Sequence, residues 1–289
     1  MQATGLPELS FRFGDTEWRL GKQPLLMGIV NVTPDSFSDG GQFFDTDTAV
    51  RHGVALAAAG AQILDVGGES TRPGAPAVPP AEEIRRVVPV IQALRRETAV
   101  ALSIDTTKAA VAAAALAAGA TIVNDVSGLH RDPAMFELLR RTGAGCVVMH
   151  MRGTPATMQQ MTQYDDLVGD ICRYFEEVLA AAESQGIPRD RFMLDPGIGF
   201  AKTPAQNLQL IANLYRFRAL GRPVLAGPSR KSFIGALLGG KPPPERVWGT
   251  AGAVAACVLR GADVLRVHDV REMHDVAVVA AAIRDTPMG

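Results

Sequence analysis

The chain has 289 residues, of which 47% are hydrophobic and 20% charged, and its 29 Lys and Arg residues nearly balance its 30 Asp and Glu residues. This balance argues against nucleic acid or an anionic membrane as the main partner, because both require a basic surface. The longest apolar runs, such as residues 276–283, are far shorter than the roughly 20 residues of a membrane-spanning helix. The first ten residues lack a basic start and an apolar stretch, so we expect no secretory signal and a cytoplasmic protein.

The first predicted element is a β-hairpin at residues 9–20, where apolar and polar residues alternate around Gly14 and Asp15. From residue 25 onward, short apolar runs alternate with Ala-rich amphipathic segments. Continuous apolar runs are typical of parallel strands that are buried on both faces of a sheet. The predicted strands are residues 25–30, 63–66, 101–104, 121–124, 146–149, 192–194, 223–226 and 264–267. The predicted helices are residues 47–59, 81–96, 109–118, 133–141, 167–184, 205–220, 246–260 and 273–284.

These elements predict an α/β protein built on a single (β/α)8 TIM barrel with an N-terminal hairpin. Eight strand–helix units fill residues 25–284, close to the roughly 250 residues that such a barrel typically uses. We assign residues 1–24 to a hairpin extension, which we expect to cap the N-terminal face of the barrel, and residues 25–289 to the barrel domain. The alternative is an open, doubly wound sheet, which shows the same alternation of strands and helices. The first strand–helix turn lacks GxGxxG, so a dinucleotide-binding half is not supported.

Nearly every predicted strand ends in a polar residue. In a barrel the active site forms at the C-terminal face, where each strand passes into a loop. Carboxylates and amides in an apolar barrel mouth are destabilising unless they have partners. We therefore interpret their convergence as a site for a flat, hydrogen-bonding ligand and an anion. In chain order, these residues are Asn31, Asp65, Asp105, Asn124, Asp125, His150, Asp195, Ser229, Arg230, Lys231, Arg266, His268 and Asp269.

The residue types indicate two subsites. Asp105, Asn124 and Asp195 suit a ring rich in N–H donors, such as a pterin, because a carboxylate can accept two parallel N–H bonds. A second group combines N–H donors and hard oxygens, which suit a diphosphate and Mg²⁺. Its members are Asn31, Thr71, Arg72, Arg266 and His268.

Some of these residues have a purely structural interpretation. Asp65, Asp125 and Asp269 are expected to support the ligand-binding groups or to cap helices. For Asp105 and Asn124 both possibilities stay open, because either side chain would also serve as a cap for the helix that follows it.

Seven sequence motifs, in the same order, resemble those of the dihydropteroate synthases and extend from residue 31 nearly to the end of the chain. Ala201 stands where that family often has Gly, and Pro228 occupies a variable position; neither removes a functional group. The motifs are residues 31–41 (NVTPDSFSDGG), 65–74 (DVGGESTRPG), 103–106 (SIDT), 124–128 (NDVSG), 194–200 (LDPGIGF), 229–232 (SRKS) and 266–270 (RVHDV).

This resemblance implies a transferase of folate biosynthesis that joins 6-hydroxymethyl-7,8-dihydropterin diphosphate to p-aminobenzoate, giving 7,8-dihydropteroate and diphosphate. It also implies a homodimer, a Mg²⁺ ion bound by Asn31, and inhibition by sulfonamides, which imitate p-aminobenzoate. The implied catalytic residues are Lys231, Asp105, Asp195, Arg266 and His268. The implied pterin-binding residues are Asp105, Asn124, Met149, Asp195, Phe200 and Lys231. The phosphates would contact Thr71, Arg72, Arg266 and His268, and p-aminobenzoate would contact Phe37, Asp39, Pro73, Ser229 and the stem of Lys231.

Two alternatives stay open. A methyltetrahydrofolate-dependent methyltransferase domain would share the barrel and the pterin-holding carboxylates, but it would not need the anion site that Lys231, Arg266 and His268 suggest. A non-catalytic, pterin-binding paralogue is the other alternative, and the same three intact residues argue against it.

Overall fold

The computed structural model describes residues 6–32, 42–70, 75 and 77–287. An antiparallel hairpin comes first and consists of β1 (Leu9–Phe13) and β2 (Thr16–Leu20). Gly14 at its turn has a φ of 55°, a left-handed conformation that glycine adopts without a steric penalty. The predicted hairpin is confirmed.

Parallel strands follow, and each is short, apolar and almost wholly buried. β3 to β8 pair in chain order, and β10 lies between β3 and β9 in the eight-stranded sheet. A bridge between Leu194 and Val224 joins the two outer strands of this sheet. The single (β/α)8 barrel is therefore confirmed, and the open sheet is excluded. The strands are β3 (Leu25–Asn31), β4 (Ile63–Gly67), β5 (Ala101–Asp105), β6 (Ile122–Asp125), β7 (Gly145–Met149), β8 (Phe192–Asp195), β9 (Leu225–Ala226) and β10 (Val264–Val267).

The helices surround the barrel and bury one apolar face each. Residues 205–220, predicted as one helix, form two, because Asn213 leaves the helical conformation at φ −116° and ψ 17° and its side-chain amide donates to the Gln209 carbonyl. The short α8 was not predicted. The helices are α1 (Gln42–Ala58), α2 (Pro80–Glu97), α3 (Ala109–Ala117), α4 (Ala134–Thr142), α5 (Leu167–Ser184), α6 (Pro204–Ala212), α7 (Leu214–Arg218), α8 (Ser232–Leu237), α9 (Val247–Leu259) and α10 (Val270–Asp285). No helix in the described ranges combines the length and the apolar character required to cross a membrane.

The hairpin packs on the N-terminal end of the barrel. Phe11, Phe13 and Leu20 are buried in a cluster to which each barrel strand contributes one apolar side chain. The packing is so close that a Cβ at Gly145, the first residue of β7, would lie 2.5 Å from Cζ of Phe11. The hairpin thus covers one end of the barrel. Because the barrel strands are parallel, their polar C-terminal ends lie together at the opposite mouth.

Replacing Phe11 by Ala should lower the free energy of unfolding by about 3–5 kcal/mol, the usual loss for a buried aromatic ring, because its side chain is 0% exposed. Denaturant titration measures this change. Arg19→Ala in the neighbouring strand removes only a surface ion pair with Glu17 and should change stability by less than about 0.5 kcal/mol. Equal losses of unfolding free energy in both variants would show that burial of the Phe11 ring does not stabilise the packing of the hairpin on the barrel.

Candidate active site

The contacts at the C-terminal mouth centre on Asp65, a residue of β4. Its side chain is fully buried. Its Oδ2 accepts hydrogen bonds from Nδ2 of Asn124 at 2.9 Å and from Nε of Arg266 at 2.7 Å. The sequence predicts that Asp65 supports the ligand-binding groups or caps a helix, and its contacts with two residues of the predicted site agree with the supporting role. The signal is a charged residue within the otherwise apolar strand Ile63–Gly67.

Arg266 links the two predicted subsites. Its Nη2 donates to Oδ2 of Asp105 at 2.8 Å, while its Nε donates to Asp65. Burial alone would lower the pKa of Arg266, but the two carboxylates raise it above its ordinary value. The residue expected for the diphosphate is thus paired directly with a residue expected for the pterin, so the two subsites adjoin.

Two buried carboxyl groups, Asp105 and Asp195, lie at the ends of β5 and β8. Burial raises the pKa of Asp105 to about 7, despite the attraction of Arg266. Burial also raises the pKa of Asp195, although the backbone N–H of Gly197 opposes this by donating to its Oδ1 at 2.8 Å. Carboxyl groups with raised pKa values in a cleft are typical of functional sites.

Lys231 and Phe200 form one side of the mouth. Nζ of Lys231 lies 4.1 Å from the centroid of the Phe200 ring, a cation–π distance. Burial, with a smaller contribution from Arg266, lowers the pKa of Lys231 to about 8. The lysine stem passes Gly199 so closely that a Cβ there would lie 2.9 Å from its Cδ.

An apolar cluster lies beside these charged groups. It contains Met149 and Phe200, as the resemblance implies, together with Val126, Met158 and Ala201. A cavity of about 390 Å³ adjoins Asp105 and Val126, within the usual size range of small-molecule pockets. The cavity wall includes Asp105 and Val126 but not Met149 or Phe200. We call the region between this apolar cluster and the carboxylates the slot, and its chemistry would suit a flat, polar-edged ring.

Ser229 and His268 form a separate pair at the same mouth. Oγ of Ser229 lies 2.9 Å from Nδ1 of His268 and accepts the backbone N–H of His268 at 3.2 Å. Burial, aided by Arg230 and Arg266, lowers the pKa of His268 to about 3. The imidazole is therefore neutral at pH 7 and serves as a hydrogen-bonding group.

The remaining predicted residues belong to the connections that follow β3 and β4, which we call the first and second loops. Asn31 ends β3, half-buried, in register with Gly67 of β4. Phe37, Asp39, Thr71, Arg72 and Pro73 lie outside the described residues.

Both ends of the second loop, after β4, meet at Lys108. Its ammonium donates to the carboxylate of Glu69, to Oε2 of Glu83 at 2.5 Å and to the carbonyl oxygen of Val78 at 2.7 Å. Glu83 is fully buried, and a buried carboxylate requires such a partner. This lysine, for which the sequence predicts no role, fixes the base of the loop.

Comparisons with known proteins identify the family of this chain. Residues 27–268 match the profile of the family described as pterin binding enzyme, and the chain belongs to that family. Within it, the chain is similar to dihydropteroate synthases. The dihydropteroate synthase of Synechocystis sp. is 47% identical over 270 residues, which are 93% of this chain and 93% of that protein.

Solved structures of such relatives share the fold. The Xanthomonas albilineans dihydropteroate synthase with 4-aminobenzoic acid superposes with a TM-score of 0.88 at 47% identity, covering 95% of this chain and 99% of that chain. The Yersinia pestis dihydropteroate synthase in a sulfonamide drug complex gives a TM-score of 0.90 at 42% identity, covering 96% and 100%.

Replacing Asp65 by Asn should lower the pKa of Asp105 from about 7 to about 6 or below, because it removes a neighbouring negative charge. Carboxyl ¹³C NMR titration measures this pKa. Asp269→Asn is the matched control, since Asp269 pairs with Arg230 and makes no described contact with Asp105. A pKa of Asp105 that stays near 7 in Asp65→Asn would contradict the coupling.

Proposed function

We propose that this chain joins 6-hydroxymethyl-7,8-dihydropterin diphosphate to p-aminobenzoate and releases diphosphate, as a dihydropteroate synthase does. The buried side chains of Asp105, Asn124 and Asp195 lie with half-buried Lys231 next to an apolar cluster and Arg266. This arrangement supports the function more than any other observation. The carboxylates and the amide suit the N–H groups of the pterin, and the neighbouring cations suit the diphosphate leaving group.

The pterin would lie in the slot between the carboxylates and the apolar cluster. Ionised Asp105 and Asp195 accept N–H groups of the amino-pyrimidinone edge. Because Nδ2 of Asn124 donates to Asp65, Oδ1 of Asn124 is left to accept a further N–H. Met149 and Phe200 face the ring, and Lys231 donates to one of its acceptors.

The diphosphate would contact Arg266 and His268. Nε and Nη2 of Arg266 are held by Asp65 and Asp105, so Nη1 is the edge that remains for phosphate oxygens. Thr71 and Arg72, outside the described residues, complete this subsite in the proposal.

Asn31 fits the Mg²⁺ that the family resemblance implies. Its amide oxygen is a hard ligand, half-buried at the end of β3. Mg²⁺ keeps several waters and is usually bound through one or two protein groups and substrate phosphates. When bound, the ion would offset the negative charge that builds up on the departing diphosphate.

The reaction breaks the bond between the exocyclic methylene carbon of the pterin and a diphosphate oxygen. The dihydropterin ring can delocalise positive charge at that carbon, and Asp105 and Asp195 would stabilise this charge as it develops. The amine of p-aminobenzoate is neutral at pH 7 and attacks the carbon without a strong general base, and its nitrogen then loses a proton. In the proposal, Ser229, the stem of Lys231, and Phe37, Asp39 and Pro73 hold the p-aminobenzoate.

Purified protein should release diphosphate from the pterin diphosphate in the presence of Mg²⁺ only when p-aminobenzoate is added, with formation of dihydropteroate. Lys231→Ala should reduce kcat/KM by about 100-fold or more, on the order of the loss of one charge-assisted contact in a buried site. A phosphate-release assay and product chromatography measure both.

The control for this experiment is Lys241→Ala, because Lys241 is exposed and should leave the rate unchanged. Tight pterin binding without turnover would favour the non-catalytic paralogue. Binding of a methylated folate without any dependence on diphosphate would favour the methyltransferase domain.

We also propose a homodimer, formed through the apolar surface of α7 to α10. Trp248 on α9 is 81% exposed, and exposed apolar side chains accompany it on the neighbouring helices. Contiguous exposed apolar surface is typical of protein interfaces. The other side chains are Tyr215, Leu237, Leu238, Leu259, Val278, Val279 and Ile283.

Sulfonamide binding in the p-aminobenzoate pocket belongs to the proposed dihydropteroate synthase function. A cytoplasmic location stays a prediction from the sequence.

Trp248→Glu should convert a dimer into a monomer, because it places a charge in the apolar interface. Sedimentation velocity over a range of protein concentrations measures the state. Met161→Glu is the control, since Met161 is also exposed but does not lie on these helices. A wild-type protein that sediments as a monomer at high concentration would contradict the dimer.

A further inference from the structure

A lysine outside the predicted site, Lys202, is buried beside the backbone of Phe200. It is 4% exposed and follows Phe200 by two residues. Its Nζ donates to the carbonyl oxygen of Phe200 at 2.8 Å and to that of His150 at 3.3 Å. It also lies 3.2 Å from Nδ1 of the His150 ring.

The His150 ring completes the surroundings of this lysine. Burial, aided by the positive charges of Lys202 and Arg152, lowers the pKa of His150 to about 2. The imidazole is thus neutral, and its Nδ1 accepts a hydrogen bond from the lysine. An ammonium has three donors, and here each finds an acceptor, which is the condition for keeping a cation buried.

The backbone of the loop that carries Phe200 is tightly constrained. Gly197, Gly199 and Ala201 have φ values of 73°, 88° and 51°, in the left-handed region that is unfavourable for Ala. A Cβ at Gly197 would collide with the carbonyl oxygen of His150. The hydrogen bond from Lys202 to the carbonyl oxygen of Phe200 restrains the orientation of this peptide group.

Phe200 contacts two lysines in different ways. Nζ of Lys231 lies 4.1 Å from the centroid of its ring, and Nζ of Lys202 donates to its backbone carbonyl oxygen. Burial lowers the pKa of Lys202 to about 7, and the amine keeps hydrogen-bond donors in either charge state.

We propose that Lys202 is a positioning residue for the pterin slot, which holds the ring of Phe200 against Lys231 and thereby sets the affinity for the pterin. This inference rests on the proposed function, because it assumes that the slot binds a pterin. Lys202 itself reaches no substrate. Its effect is specific to one of the two substrates.

Lys202→Met keeps the aliphatic stem and removes the three donors. The affinity for 6-hydroxymethylpterin, measured by calorimetry, should fall about tenfold, which corresponds to about 1.4 kcal/mol. The KM for p-aminobenzoate at saturating pterin diphosphate should stay unchanged. In a Phe200→Ala background, Lys202→Met should cause little further loss, because both changes act through the same ring.

Tyr164→Phe is the matched control. The hydroxyl of Tyr164 donates to the carbonyl oxygen of Ala201 at 3.2 Å, so this variant removes a hydrogen bond from the same loop but not from Phe200. Its pterin affinity should equal that of the wild type. Additive effects of Lys202→Met and Phe200→Ala, or an equal loss in Tyr164→Phe, would overturn the proposal.

Two further measurements keep the proposal testable. If Lys202→Met does not fold, Lys202→Arg replaces it, because arginine keeps the charge but displaces the donors. Lys202→Arg should fold and lose pterin affinity. Wild-type pterin affinity in Lys202→Arg would show that Lys202 serves folding only and would overturn the proposal. Fluorine NMR of 4-fluorophenylalanine at position 200 should show a changed ring environment in both variants, and an unchanged signal would overturn it too. A wild-type protein that binds no pterin would instead refute the proposed function.

Discussion

The buried carboxylate of Asp65 is the constraint on which the rest of the site depends. A charge without solvent contact is tolerated only when neighbouring groups compensate it, and the compensation comes from Asn124 and Arg266. Arg266 in turn reaches Asp105. One buried charge therefore connects residues of β4, β5, β6 and β10.

This connection fixes which atoms remain for a ligand. A guanidinium is planar and rigid, so the two ion pairs of Arg266 leave its remaining nitrogen pointing in one direction. In the same way, the amide nitrogen of Asn124 is used by Asp65, and its oxygen is left as an acceptor. The site thus presents acceptors to one part of a substrate and a donor to another before the substrate arrives, which is the preorganisation that favours catalysis.

The barrel could be predicted from the sequence, because short apolar runs at regular intervals leave few other folds. The polar strand ends followed from the same reasoning: Asp105, Asn124, Asp195 and Arg266 do converge at one mouth. The split at Asn213 could not be predicted, since it depends on one residue whose side chain binds the preceding turn. The roles of Phe37, Asp39, Thr71, Arg72 and Pro73 stay predictions.

The sequence also did not predict which side chains pair with each other. Arg266 and Asp65 are 201 residues apart in the chain, and nothing in their local patterns indicates that they meet. The sequence therefore predicts a supporting role for Asp65 but not the residues that it contacts, and it predicts no role for Lys108 or Lys202. Pattern reasoning locates residues on strands and loops, but the choice of partner depends on side-chain directions across the whole barrel.

The barrel has one weak seam, by which we mean the junction between β8 and β9. β9 has only two residues, and a single bridge between Leu194 and Val224 joins it to β8. Local opening of a fold begins where backbone hydrogen bonds are fewest. Asp195 stands at the end of β8 and Lys231 in the loop after β9, on the two sides of this seam. A ligand that contacts both residues also ties the seam together, so that binding and closure of the barrel are thermodynamically linked.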